Sequence, residues 1–285
     1  MFKNILIPIS SESYQKEVLE RSAFLAKKFD SIINLLYIIE EKTLNQTNKL
    51  IDAYRTQHDI EKTKKEIIRE YTHTADNIVF DDAKIFFKNQ NIVFNEKIAK
   101  GEFSNIIEAE LRINKYDLIL MGFEKECLLN YRLLDEVDIP VWTVSGIEGS
   151  TILAVCSNLA PNLKVPEISL KLSKKFGWNL HLIYVVDVQD HVEVDKTGKR
   201  SGKKSVDDLI SKGEVFIKQM SKKGINSSLV TGSLENEIAK AAEKYNANLV
   251  IIGREQKKKS SLGLSTKSIK KKIAEKCRYS ILFVN

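Results

Sequence analysis

Three cysteines, four prolines and twelve glycines are spread over 285 residues. Each scarcity excludes something. Cys127, Cys156 and Cys277 are odd in number and far apart, so no disulfide framework and no CxxC or Cys/His zinc cluster can be drawn. A reducing cytoplasm is the expected setting. So few prolines and glycines leave little room for a long flexible linker or a low-complexity segment. No apolar run approaches the ~20 residues of a membrane helix, "LILMGF" being typical, and "MFKNILIPIS" has too short an apolar core for a signal peptide. His58, His73, His181 and His191 belong to no motif, which leaves no Ser/His/Asp constellation. Neither sign of charge dominates: 45 Lys+Arg against 38 Asp+Glu gives +7, enough to favour anions weakly. The lysine-rich stretch 254–278 has no interleaved aromatics, which argues against nucleic acid as a partner.

What the chain does have, it has twice. "NILIPIS" at 4–10 is echoed by "TILAVCS" at 151–157, and "NLLYIIE" at 34–40 by "HLIYVVD" at 181–187, both at an offset of 147. "GEFSNIIEAELRINKYDLILMG" at 101–122 matches "GSLENEIAKAAEKYNANLVIIG" at 232–253 at an offset of 131. "IPVWTV" at 139–144 matches "YSILFV" at 279–284 at an offset of 140. The first half therefore carries 16 extra residues before its glycine turn, and the second carries 9 extra before its last strand. The polar "SGIEGS" at 145–150 separates domains expected at 1–146 and 150–285.

Within each half β-branched runs alternate with helical patterns. Val18, Leu19, Ser22, Ala23, Leu25 and Ala26 recur at helical spacing, and a long charged helix is expected across much of 50–90. The acid pairs Asp81/Asp82 and Asp207/Asp208 read as helix starts. Strands without polar alternation, separated by helices, predict a parallel sheet covered on both faces. The segment 187–208 reads as an exposed loop, with a lid over the strand ends as the alternative. Cys156 reads as a buried small hydrophobe, its position near the strand ends keeping a redox role as the alternative.

The order and spacing of "KNILIPIS", "LLYIIE" and "LIYVVD", the G-x-x-x-x-x-I turn, "DLILMG" and "NLVIIG", and a last apolar strand resemble the universal stress protein family in its tandem form. The resemblance covers both halves. It implies two doubly wound α/β domains, similar to flavodoxin-like and adenine nucleotide α-hydrolase-like folds, with mainly parallel five-stranded sheets. It also implies that the last strands pair, making a pseudo-dimer within one chain; assembly into a homodimer and the identity of protein partners stay open. Many members bind ATP at the carboxyl ends of the strands. There an Asp after the first strand reads the adenine, backbone at the end of the second strand meets the ring, and a G-x2-G-x9-G-[S/T] loop wraps the phosphates.

Both halves depart from that pattern. In the first, Ser10 stands in the place of the Asp, Ile38 at the ring position, and Gly122 keeps the first glycine, after which "FEKECLLNYRLLDEVD" offers neither glycine nor hydroxyl pair. This half is a degenerate site. In the second, Ser157 replaces the Asp, Val185 takes the ring position and Gly253 keeps the first glycine. Gln256 and Lys267 replace the other two glycines, Ser268 stands as the helix opener, and Gly263 is off register. Donors remain, among them Arg254, Ser265, Thr266, Lys267 and Ser268, so the phosphate loop is partly retained and suits an anion. ATP or ADP is the implied ligand, with magnesium only alongside it. The resemblance thus implies a stress-response binding or regulatory protein holding a nucleotide or other anion in its second domain. The alternatives are a scaffold acting through protein partners, or a weak ATP hydrolase with Asp187 as its acid.

Overall fold

The computed structural model describes residues 1–10, 15–40, 61–63, 65–66, 69–70, 73, 81–122, 134, 137–195, 200–254, 273 and 278–284. The chain forms two compact units, Met1–Glu124 and Lys125–Asn285. The first contains β1 (Asn4–Ser10), α1 (Lys16–Phe29), β2 (Ile32–Glu40), α2 (Asp81–Asn89), β3 (Phe94–Gly101), α3 (Phe103–Ile113) and β4 (Leu118–Gly122). The second contains β5 (Val141–Val144), β6 (Thr151–Ser157), α4 (Val165–Phe176), β7 (Asn179–Asp187), α5 (Val206–Lys222), β8 (Asn226–Gly232), α6 (Leu234–Lys244), β9 (Leu249–Gly253) and β10 (Ser280–Val284).

In the first unit the strands run β3-β2-β1-β4, all parallel. In the second, β8-β7-β6-β9 repeats that order and β10 extends it, again in parallel. Then β5 pairs with β10 in the antiparallel sense, Trp142 opposite Leu282. The expected pairing of the two last strands is therefore present. It places β5 in the second compact unit and covers an edge of β10 that would otherwise offer unpaired backbone groups.

The unbroken apolar runs are buried from end to end. Ile5, Leu6 and Ile7 are at most 1% exposed, and every residue of β6, β9 and β10 is buried. The face of α1 that packs on the sheet consists of Val18, Leu19, Ser22, Ala23, Leu25 and Ala26, the set that the helical spacing selects. Asp81/Asp82 and Asp207/Asp208 fall in first turns, and Ser205 caps α5 by accepting from the Asp208 N–H. At the turns before α3 and α6, Gly101 (φ 151°) and Gly232 (φ 158°) adopt backbone angles that L side chains rarely take, which fixes the glycine of the repeated turn. Most of the long helix expected across 50–90 lies outside the described residues.

One buried carboxylate organises the amino-terminal edge of the first unit. Glu110 on α3 accepts from Lys97 Nζ at 2.6 Å, from Tyr116 OH at 2.7 Å and from Asn114 Nδ2 at 2.7 Å. Burial by itself raises its pKa, but the three donors and the Lys97 charge together hold it below the ordinary 4.5. A depressed carboxylate contributes stability that is present above its unfolded pKa and lost as pH falls through the folded one. Acid titration of the unfolding midpoint is expected to show this loss beginning below about pH 4.5, the ordinary carboxyl range. Glu110→Gln is expected to flatten that dependence and to cost about 1–2 kcal/mol at neutral pH in denaturant melts.

Candidate functional site

The carboxyl ends of parallel strands are where an open sheet leaves its crevice, because the first turns of the following helices present free N–H groups there. In the second unit those ends belong to β6, β7 and β9, and they carry Ser157, Val185 and Gly253. The structure brings these three together. Ser157 pairs with Val185 across β6 and β7, and β9 lies on the other side of β6. Both Ser157 and Val185 are fully buried.

The chain itself occupies this edge. The Ser157 N–H donates to Asn162 Oδ1 at 2.9 Å, its carbonyl accepts from Asn162 Nδ2 at 2.8 Å, and its hydroxyl oxygen accepts the Leu159 N–H at 3.1 Å. That turn carries Pro161 across the end of β9. A Cβ added to Gly253 would overlap the Pro161 carbonyl oxygen and come within 2.9 Å of its carbonyl carbon. Glycine is thus required at 253, and the backbone that approaches it is the protein's own.

Asn158 and Asp187 hold the turn down. Asn158, 1% exposed, accepts the Asp187 N–H at 2.7 Å and donates to the carbonyls of Asp190 and Val192 at 3.3 and 2.8 Å. Its own carbonyl takes the Val194 N–H at 2.7 Å. Asp187 accepts the N–H groups of Gln189 and Asp190 on one oxygen, at 2.8 and 2.9 Å, and that of Leu234 at the start of α6 on the other, at 2.7 Å. The start of the 187–208 segment is therefore tied to the strand ends by five hydrogen bonds from these two side chains. A hydrolytic acid must face a substrate or a metal; Asp187 instead caps a helix and closes a turn. Among the described residues no group of three or more His, Cys, Asp or Glu could hold a metal ion.

Arg254 is corrected by its surroundings. Read as a donor free for an anion, it is 2% exposed and spends its guanidinium on backbone carbonyls: Nη1 on Leu134 at 3.1 Å, Nη2 on Val137 at 2.5 Å and on Ile139 at 3.0 Å. Its N–H donates to the Val284 carbonyl at 2.7 Å. The side chain therefore ties the segment leading into β5 to the end of β9. Gly263, Ser265, Thr266, Lys267 and Ser268 lie outside the described residues.

In the first unit the backbone of Ser10 pairs with Ile38 at the ends of β1 and β2, and Ile38 is fully buried. Gly122 at the end of β4 faces the side chain of Gln15, whose Cδ would lie 2.6 Å from an added Cβ. Gln15, just before α1, thus lies against Gly122 as Pro161, just before α4, lies against Gly253. Cys156, on β6, is fully buried, and burial pushes its thiol well above the ordinary range, which leaves it a packing role. The residues sequence reasoning missed are Asn158, Pro161 and Asn162; no motif marks them, and only an asparagine-rich turn directly after a first strand hints at a clamp.

Asp187→Ala leaves three N–H groups without their acceptor and is expected to destabilise the fold by about 2–3 kcal/mol, with Asp187→Asn milder. Arg254→Lys keeps the charge but cannot span three carbonyls. It is expected to cost about 1–3 kcal/mol in the same denaturant melts.

Comparison with known proteins agrees with this architecture. The sequence model of the universal stress protein family matches residues 1–142. A universal stress protein from Archaeoglobus fulgidus DSM 4304 superposes with a TM-score of 0.66 at 16% identity, covering 99% of this chain and 98% of the other. A putative universal stress protein from Pseudomonas aeruginosa UCBPP-PA14 gives 0.65 at 14% identity, covering 99% and 93%. At these identities the structural likeness speaks for the fold. No curated protein matches the sequence. Among the described residues no helix is long and apolar enough to cross a membrane. Through the match over its first 142 residues, the chain belongs to the universal stress protein family.

Proposed function

We propose that the chain is a universal-stress-type binding protein that acts through protein partners in a stress response, with the carboxyl-edge crevice of its second unit closed by its own residues. The observation that carries this reading is the Pro161 carbonyl seated against Gly253, where a ligand would have to approach the backbone. The bonding of Ser157, Asp187 and Arg254 supports it, since each of these three already has protein partners. A ligand entering here would displace a backbone turn and strand buried polar groups, at about 1–3 kcal/mol for each one left unpaired. The rival reading keeps ATP or ADP, with magnesium, on the lysines and hydroxyls of 257–268.

The two readings separate in a calorimetric titration of the purified chain with ATP and with ADP, with and without magnesium, at moderate salt. The Lys267→Glu/Ser268→Glu double variant runs beside it. No saturable heat and no thermal shift at millimolar nucleotide is the expected result. Saturable binding near one nucleotide per chain, abolished in the double variant, would overturn the proposal and make the second-unit loop a working phosphate site.

A further inference from the structure

The two units place corresponding residues at corresponding points, so each serves as a reference for the other. Leu6 pairs with Asn34 as Leu153 pairs with His181, and Asn95 pairs with Asn34 as Asn226 pairs with His181. The helices α3 and α6 are each 11 residues long and are followed by the C-cap residues Asn114 and Tyr245 respectively. Asn34 is thus the counterpart of His181, and Asn114 of Tyr245.

In the second unit these positions make a stacked pair. The Tyr245 ring lies on the His181 imidazole with centroids 4.2 Å apart and planes 13° from parallel. His181 is also within hydrogen-bond reach of Asn226, at 3.2 Å. In the first unit both rings are missing. Asn114 turns its amide to Glu110 at 2.7 Å, and the Asn34 amide is fixed between the Asn95 amide at 3.0 Å and the Ile5 carbonyl at 3.3 Å. Between them lies a pocket of about 470 Å³, lined by Leu6, Asn34, Leu36, Asn95, Asn114 and Tyr116 among others. It sits at the amino ends of β1–β3, the opposite edge of the sheet from the crevice.

The chemistry of the lining narrows the occupant. The floor is aliphatic, Leu6 and Leu36, each 1% exposed. The walls carry the amides of Asn34, Asn95 and Asn114, which can both donate and accept, and the Tyr116 ring, whose hydroxyl is spent on Glu110. Of the charged groups, Lys97 is paired with Glu110 at 2.6 Å and Glu96 with Lys84 at 3.2 Å; Lys115 stands exposed at the rim. Matched charge, a flat amide platform and an apolar floor suit an uncharged flat molecule with polar groups around its edge. The second unit fills this place with that kind of group, a phenol on an imidazole.

We propose that the first unit binds a small uncharged aromatic or heteroaromatic ring, carrying hydrogen-bonding groups at its edge, in the pocket between Asn34 and Asn114. This site shares no residue with the second-unit crevice, so the outcome of nucleotide titration there does not bear on it. The test is an amide NMR titration of the full chain with phenol and with cytosine, and with glucose as a polar molecule lacking a ring. Phenol and cytosine are expected to give saturable shifts confined to residues 4–6, 34–36, 95–97 and 114–116, with no saturable shift from glucose. Asn114→Tyr rebuilds the second unit's stack and is expected to abolish those shifts while keeping the native amide spectrum. Asn34→Ala removes the platform without touching α3 and is expected to weaken both ring probes at least fivefold. No saturable shift from either ring probe, undiminished shifts in a folded Asn114→Tyr or Asn34→Ala chain, or equal binding of glucose would each overturn the proposal.

Discussion

A carboxylate buried at the edge of a parallel sheet is tolerated only if its lone pairs are filled. Asp187 meets that condition with three backbone N–H groups drawn from two separate segments, the turn after β7 and the first residue of α6. Asn158 then accepts the N–H of Asp187 itself. From this pair the carboxyl edge of the second unit takes its form. The turn after β6 is held flat against the strand ends, Pro161 is carried over β9, and residue 253 is confined to glycine. Removing the pair would leave several buried polar groups without partners at once, so the bonds of this edge depend on one another.

Arg254 does comparable work from the other side. Three carbonyls from residues 134–139 converge on one guanidinium, and only a planar group with donors in a fixed fork can serve them together. The segment so held leads directly into β5, whose antiparallel pairing covers an edge of β10. The side chain that position suggests for a phosphate is thus consumed in fixing the course of the chain.

Much of the fold is legible because it rests on local patterns and on repetition. The buried face of α1 follows from apolar spacing alone. The 147-residue offset between the first two strand pairs reappears as identical pairing, Leu6 with Asn34 and Leu153 with His181. The site is less legible for a physical reason. A glycine in sequence shows that some backbone or ligand comes close, and cannot show which; at 253 it is the carbonyl of Pro161, 92 positions earlier. Arg254 is read as free because its acceptors lie 115 to 120 positions away and are main-chain carbonyls, which carry no residue signature. The contrast between Asn114 and Tyr245 is plain in sequence, yet has meaning only once His181 is seen beneath the ring.

The glycines that end β4 and β9 are approached by different kinds of group. At Gly253 the obstacle is backbone, a carbonyl in a turn whose neighbours are hydrogen-bonded to Asn162 and Asn158. Moving it means breaking several buried bonds together. At Gly122 the obstacle is the side-chain amide of Gln15, the far end of a flexible chain at the start of α1. A glutamine can change rotamer at the cost of one or two staggered wells, and the helix behind it need not shift. Sequence counting ranks the second half as the better nucleotide site because it keeps more of the loop's hydroxyls and lysines. Among the described residues the neighbours of the two glycines differ in kind: a movable side chain at Gly122 and a hydrogen-bonded backbone turn at Gly253.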